Sequence, residues 1–118
     1  MGYISGFLLA VPEARKADYR AFAENTWPMF AEYGALALRE NWGVDTPDGE
    51  VTSFPMAVKL KPGEVVVLAW MEWPDKATAD AGWQKMQNDP RMEAFSDLPF
   101  DGARMMFGGF ETLVARQA

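Results

Sequence analysis

The chain reads as an α+β domain of the ferredoxin-like kind, a βαββαβ unit whose four-stranded antiparallel sheet carries two helices on one face. Three observations predict it. Runs that are apolar at successive positions alternate with stripes that recur every three or four residues. Those segments follow the order strand, helix, strand, strand, helix, strand. The length of 118 residues, with 49% hydrophobic and 24% charged side chains, suits one ordinary globular domain spanning 1–118, and no repeat or linker divides it.

The first strand is YISGFLLAV, Tyr3 to Val11, apolar on both parities and closed by Pro12. From about Glu13 to Tyr33 the spacing changes: Tyr19, Phe22, Ala23, Trp27, Phe30 and Tyr33 form the stripe of an amphipathic helix. Pro28 should kink it, and Gly34 supplies the C-terminal stop. Ala35 to Asp45 is the second strand, with Leu36, Leu38, Glu40, Trp42 and Val44 on one face and Arg39 and Asn41 on the other. TPDGE is a turn. TSFPMAVKL fits either a short helix capped by Thr52 or Ser53 or an extended segment, and KPGE is a second turn. Val65 to Trp73 is the third strand, β-branched and apolar on both faces. Asp75 caps a helix to about Asn88, and Asp89-Pro90 restarts a short one. After the turn at Asp101-Gly102, Ala103 to Val114 is the last strand.

Composition narrows the chemistry. A net charge of −6 with no basic block argues against nucleic acid and against anionic membrane surfaces. Cysteine and histidine are both absent, which removes thiolate nucleophiles, Ser-His-Asp catalysis, His-ligated haem and most zinc sites. The expectation is therefore no metal and no cofactor. The apolar run at the N-terminus covers nine residues with no basic region before it, so a cytoplasmic protein is expected.

Two helices cover only one face of such a sheet, yet strands one and three are apolar on both. Ile4, Leu8 and Ala10 oppose Tyr3, Phe7, Leu9 and Val11 in parity, as Val66, Leu68 and Trp70 oppose Val65, Val67, Met71 and Trp73. Exposed, the second face would exceed the patch that monomers tolerate. Covering about 800 Å² per subunit at about 25 cal/mol per Å² gives on the order of 20 kcal/mol before association costs. The expected partner is a second copy, face to face.

The segments SGFLLAVPEARKADYR, ENWGVDTPDGEVTSFPMAVK, NDPRM and PFDGARMMFGGFE together resemble the YbaA-like bacterial family, domain-of-unknown-function family 1428. The resemblance spans nearly the whole chain, and the PFDG-R-M-GGF block is its most specific part. It implies the dimeric α/β-barrel superfamily, hence a homodimer. Superfamily relatives include cofactor-free quinone-forming monooxygenases, small-molecule isomerases and haem-degrading enzymes. The last depend on histidine, which this chain lacks. No catalytic residue carries over by motif.

Candidate catalytic residues are Glu40, Glu72, Asn41 and Arg104. Glu40-x-Trp42 and Trp70-x-Glu72 are one pattern in opposite order. In an antiparallel register whose paired positions sum to 112, Glu40 would face Glu72 and Trp42 would face Trp70. Two carboxylates beside indoles would raise the pKa of at least one toward that of a general base. Alternatively both sit at a wet rim or pair with Arg39 or Arg104. Arg104 with Asp101 would either hold a substrate oxyanion or lock the turn to a neighbouring loop. Gly6 and the Gly108-Gly109 pair lie on strands expected to be neighbours, where they admit a close approach of helix, partner or ligand, or mark a bulge. A hollow beneath the first helix would be lined by Tyr19, Phe22, Trp27, Trp42, Trp70 and Phe110, though such a stripe also serves as plain core.

The functional expectation is a homodimer that binds a small aromatic or quinone-like molecule, as a cofactor-free monooxygenase or an isomerase. The alternative is a ligand-binding or structural protein without turnover.

Overall fold

The computed structural model describes residues 2–118. Seven regular elements follow in order: β1 (Tyr3–Pro12), α1 (Lys16–Glu32), β2 (Ala37–Trp42), α2 (Phe54–Ala57), β3 (Glu64–Trp73), α3 (Lys76–Gln87) and β4 (Met106–Glu111). The strands form one antiparallel sheet ordered β2-β3-β1-β4, which is the ferredoxin-like α+β arrangement. No helix among the described residues is long and apolar enough to cross a membrane.

Local chemistry sets the boundaries. A single 3₁₀ turn, Glu13–Arg15, precedes α1, and the helix runs through Pro28 to Glu32. Gly34 then takes φ +110°, a conformation that favours glycine. The segment left open between helix and extended chain is the short helix α2, because Ser53 accepts a hydrogen bond from the Met56 amide and Pro55 sits in the first turn. Asp75 caps α3 through the Thr78 amide. Asp89 caps the 3₁₀ run Pro90–Phe95. The last strand is shorter than its apolar pattern, since Asp101 caps a 3₁₀ turn at Gly102–Arg104 that holds the chain out of the sheet until Met106.

Burial separates the two faces of the sheet. Odd-numbered positions of β1 and β3 (Leu9, Val11, Val67, Ala69, Met71 and Trp73) pack beneath α1 and α3 with Tyr19, Met29, Phe30 and Ala79. Ser5 is buried in the same layer and accepts hydrogen bonds from the indoles of Trp73 and Trp83. Even-numbered positions point the other way. One end of that second face is covered, because Val58, just after α2, packs fully buried on Ala10 and Val66. The remainder is open: Leu68, Met106 and Phe110 stay 41%, 49% and 60% exposed.

Two register findings correct the sequence-based expectation. β2 pairs β3 as Ala37↔Glu72, Arg39↔Trp70, Glu40↔Ala69 and Trp42↔Val67, so paired positions sum to 109 rather than 112. The odd offset inverts parity. Glu40 and Trp42 therefore lie on the helix-covered face, Glu72 and Trp70 on the open face, and the two glutamates do not meet. At the other edge, Ser5↔Gly109 and Gly6↔Gly108 continue an unbroken ladder, which excludes a bulge. The glycines make room for aromatic rings of the same chain. A Cβ on Gly6 or Gly108 would stand 3.1 or 3.2 Å from the Phe110 ring, and one on Gly109 would stand 2.7 Å from Cζ of Tyr3.

Candidate functional site

Between α1 and β2 lies an open hollow of about 970 Å³. Its walls follow from two periodicities. Along α1, Lys16, Tyr19, Ala23 and Trp27 recur at three- and four-residue spacing and face the sheet. Along β2, Leu38, Glu40 and Trp42 alternate onto the helix side, with Val67 of β3 behind them. The lining is mainly apolar, with the polar groups gathered toward the start of α1.

The Tyr19 phenol donates a 2.6 Å hydrogen bond to Oε1 of Glu40. Tyr19 is 5% exposed, and burial first, the neighbouring carboxylate second, holds its pKa far above the ordinary phenol value. Glu40 as a whole residue is exposed. Desolvation of its carboxyl beneath α1 nevertheless raises its pKa above the usual carboxylate range, and the Tyr19 hydrogen bond only partly opposes this. A carboxylate in such surroundings has the chemistry of a general base. Beside it the Lys16 ammonium stands 5.0 Å from the centroid of the Trp42 indole. Arg20 and Glu24, also at the hollow, neutralise each other through a 2.9 Å ion pair.

The structure brings Tyr19, Trp27, Glu40, Asn41 and Trp42 together at this hollow. Asn41 sits at its rim and donates to the Leu68 carbonyl. Other candidates lie elsewhere. Phe22 packs against Phe95 and Phe100, joining α1 to the segment after α3. Trp70, Phe110 and Glu72 occupy the open sheet face. Arg104 grips Glu64 through two contacts of 2.8 and 2.6 Å, Asp101 at 2.9 Å and the Lys59 carbonyl at 3.0 Å. Its donors are engaged in a lock between the chain before β4 and the start of β3, away from the α1/β2 hollow. Sequence reasoning missed two groups at the hollow, Lys16 and the pairing of Tyr19 with Glu40. The signal for both was the i, i+3 spacing of Lys16 and Tyr19 on one helical face, set against alternation in β2.

Fold and site together define a small ferredoxin-like α+β protein with a tyrosine-bonded carboxylate in a mainly apolar hollow beneath its first helix. The chain belongs to the family described as Protein of unknown function (DUF1428), whose model matches residues 2–102. It is 50% identical over 115 residues to the uncharacterized protein YbaA of Escherichia coli strain K12, covering 97% of this chain and 98% of that protein. YbaA of Shigella flexneri matches to the same extent, 50% over 115 residues. Among solved structures, a dimeric ferredoxin-like protein from an uncultured marine organism superimposes with a TM-score of 0.59 at 15% identity, covering 100% of both chains. A protein of unknown function from Nitrosomonas europaea gives 0.52 at 14% identity, covering 99% of this chain and 94% of its own. These structural likenesses speak for the fold.

Proposed function

We propose that this chain is a homodimeric small-molecule-binding protein whose α1/β2 hollow takes a small aromatic or quinone-like substrate, with Glu40 as general base. One observation carries the reading: the Glu40 carboxylate stands in an apolar hollow, oriented through one oxygen by the buried Tyr19 phenol. That leaves its second oxygen to accept a proton from a phenolic O–H or an activated C–H. The ring delocalises the resulting anion. In an isomerisation, the same carboxyl returns the proton at a second carbon. In a cofactor-free oxygenation, O₂ adds to the carbanion and loss of water from the hydroperoxide leaves the quinone. Trp42 and Trp27 offer flat walls for the ring. The open sheet face supports pairing with a second copy, because Leu68, Met106 and Phe110 remain exposed on an otherwise apolar surface. Dimerisation there leaves the hollow, on the opposite face, free for ligand.

The test is oxygen uptake and product formation with a panel of quinols and naphthols under air. Glu40→Gln is expected to lower the rate at least about a hundredfold, the usual scale for a positioned base. Glu72→Gln, on the other face, should leave it unchanged. A Glu40→Gln variant that turns over like wild type overturns the assignment.

A further inference from the structure

We propose that the hollow selects a flat aromatic acid, its anionic head on the Lys16 ammonium and its ring between α1 and β2. This rests on the ligand site argued above and adds its chemical class. α1 and β2 run in opposite directions, so their facing residues form successive levels. Lys16 stands over Trp42 at one level, Tyr19 bonds Glu40 at the next, and Ala23, Leu38 and Trp27 line the apolar remainder. Apart from the Arg20–Glu24 ion pair on α1, the polar side chains of the hollow gather at the Lys16 end.

Of the eleven Lys and Arg side chains, Lys16, Arg39, Lys59, Lys61, Lys85 and Arg116 make no ion pair among the described residues, and of these six Lys16 is the one that lines the hollow. Arg15, Arg20, Lys76, Arg91 and Arg104 each hold a carboxylate within 3.5 Å. Lys16 makes no ion pair or hydrogen bond among the described residues, so all three of its donors are open. It is also the first residue of α1, where a cation opposes the helix dipole at a modest cost to stability. Its contact with the Trp42 ring offsets that cost and holds the ammonium at the hollow, where an anion can meet it. Glu40 keeps its negative charge while it accepts the Tyr19 hydrogen bond, so the acid's carboxylate has to lie at the Lys16 level and its hydroxyl end toward Glu40. An acid carrying a para or meta hydroxyl would place its carboxylate on Lys16 and its acidic proton toward Glu40.

The experiment compares para-hydroxybenzoate, para-hydroxybenzamide and para-hydroxybenzylamine by isothermal titration calorimetry. Wild type is expected to bind the acid about tenfold more tightly than the amide, and the amine more weakly still, the scale of one partly exposed charged contact. In Lys16→Gln the acid-to-amide ratio should fall to about one, while Lys85→Gln, on α3, keeps it. Circular dichroism confirms that each variant is folded. Equal binding of acid and amide by wild type, tighter binding of the amine, or a ratio that survives Lys16→Gln overturns the inference while the ligand site stands. If none of the three compounds binds, the ligand site fails and the inference with it.

Discussion

Glu40 shows how much one side chain's parity decides. On the helix-covered face it is desolvated, and its folded-state pKa lies above the unfolded one. The folded chain therefore holds its proton more tightly, and ionising Glu40 works against folding as pH rises through that raised value. Gly82 is a residue kept for packing. A Cβ there would stand 2.6 Å from Cη2 and 2.8 Å from Cζ3 of Trp73, which is 1% exposed and tied through its indole to Ser5. Alanine gains about 1 kcal/mol of helix propensity over glycine, but overpacking against a rigid ring costs about 1–3 kcal/mol. Gly82→Ala is expected to destabilise the chain by about 1 kcal/mol net, read as a lower urea midpoint. A midpoint raised above wild type would show that Trp73 yields.

Among the elements, the strands and helices were legible in the sequence because each is announced by spacing or by a cap: Asp75 for α3, Ser53 for α2, Gly34 after α1. The pairing of β2 with β3 was not. More than twenty residues join them, too long a connection for turn geometry to fix the register. What fixes it is burial. Summing to 109 puts Leu38 over the core with Met71, and carries Arg39 and Glu72 to the open face. The hollow inherited that error: Glu40, Trp42, Tyr19 and Trp27 were legible as members, whereas Trp70 and Phe110 fell on the other face. The Arg104 lock is also an element-scale device, joining the segment before β4 to β3. Hydrogen bonds from Arg104 hold the carboxyls of Glu64 and Asp101 below the usual carboxylate range. Groups with depressed folded pKa values stabilise fully above their unfolded values of about 4 and lose that contribution as pH falls below them. The thermal midpoint should accordingly drop with acidification below about pH 4, and Arg104→Gln should show a shallower drop from a lower starting value. An acid profile identical in slope to wild type would mean the lock contributes nothing.

At the scale of the whole molecule, the sheet divides the labour. One face, closed by α1 and α3, contains both the core and the α1/β2 hollow. The other, partly covered at one end by Val58, leaves Leu68, Met106 and Phe110 exposed, with Trp70 on the same face, and it is the face proposed for a second copy. Sequence parity announced that both faces are apolar but not that Val58, just after α2, covers part of the second. The contacts of Val58 with Ala10 and Val66 depend on how a long loop folds back. The five tryptophans report on this division: Trp27 and Trp42 line the hollow, Trp70 lies on the open face, and Trp73 and Trp83 are bound to Ser5. The most direct test is the indole N–H region of an ¹⁵N-labelled sample, followed first on dilution and then on addition of para-hydroxybenzoate. Dilution through dimer dissociation should move Trp70 and leave Trp42 in place, and the ligand should move Trp42 and Trp27 and leave Trp70 in place. Ligand-induced shifts at Trp70 with Trp42 unmoved, or dilution shifts confined to Trp42, would contradict the account.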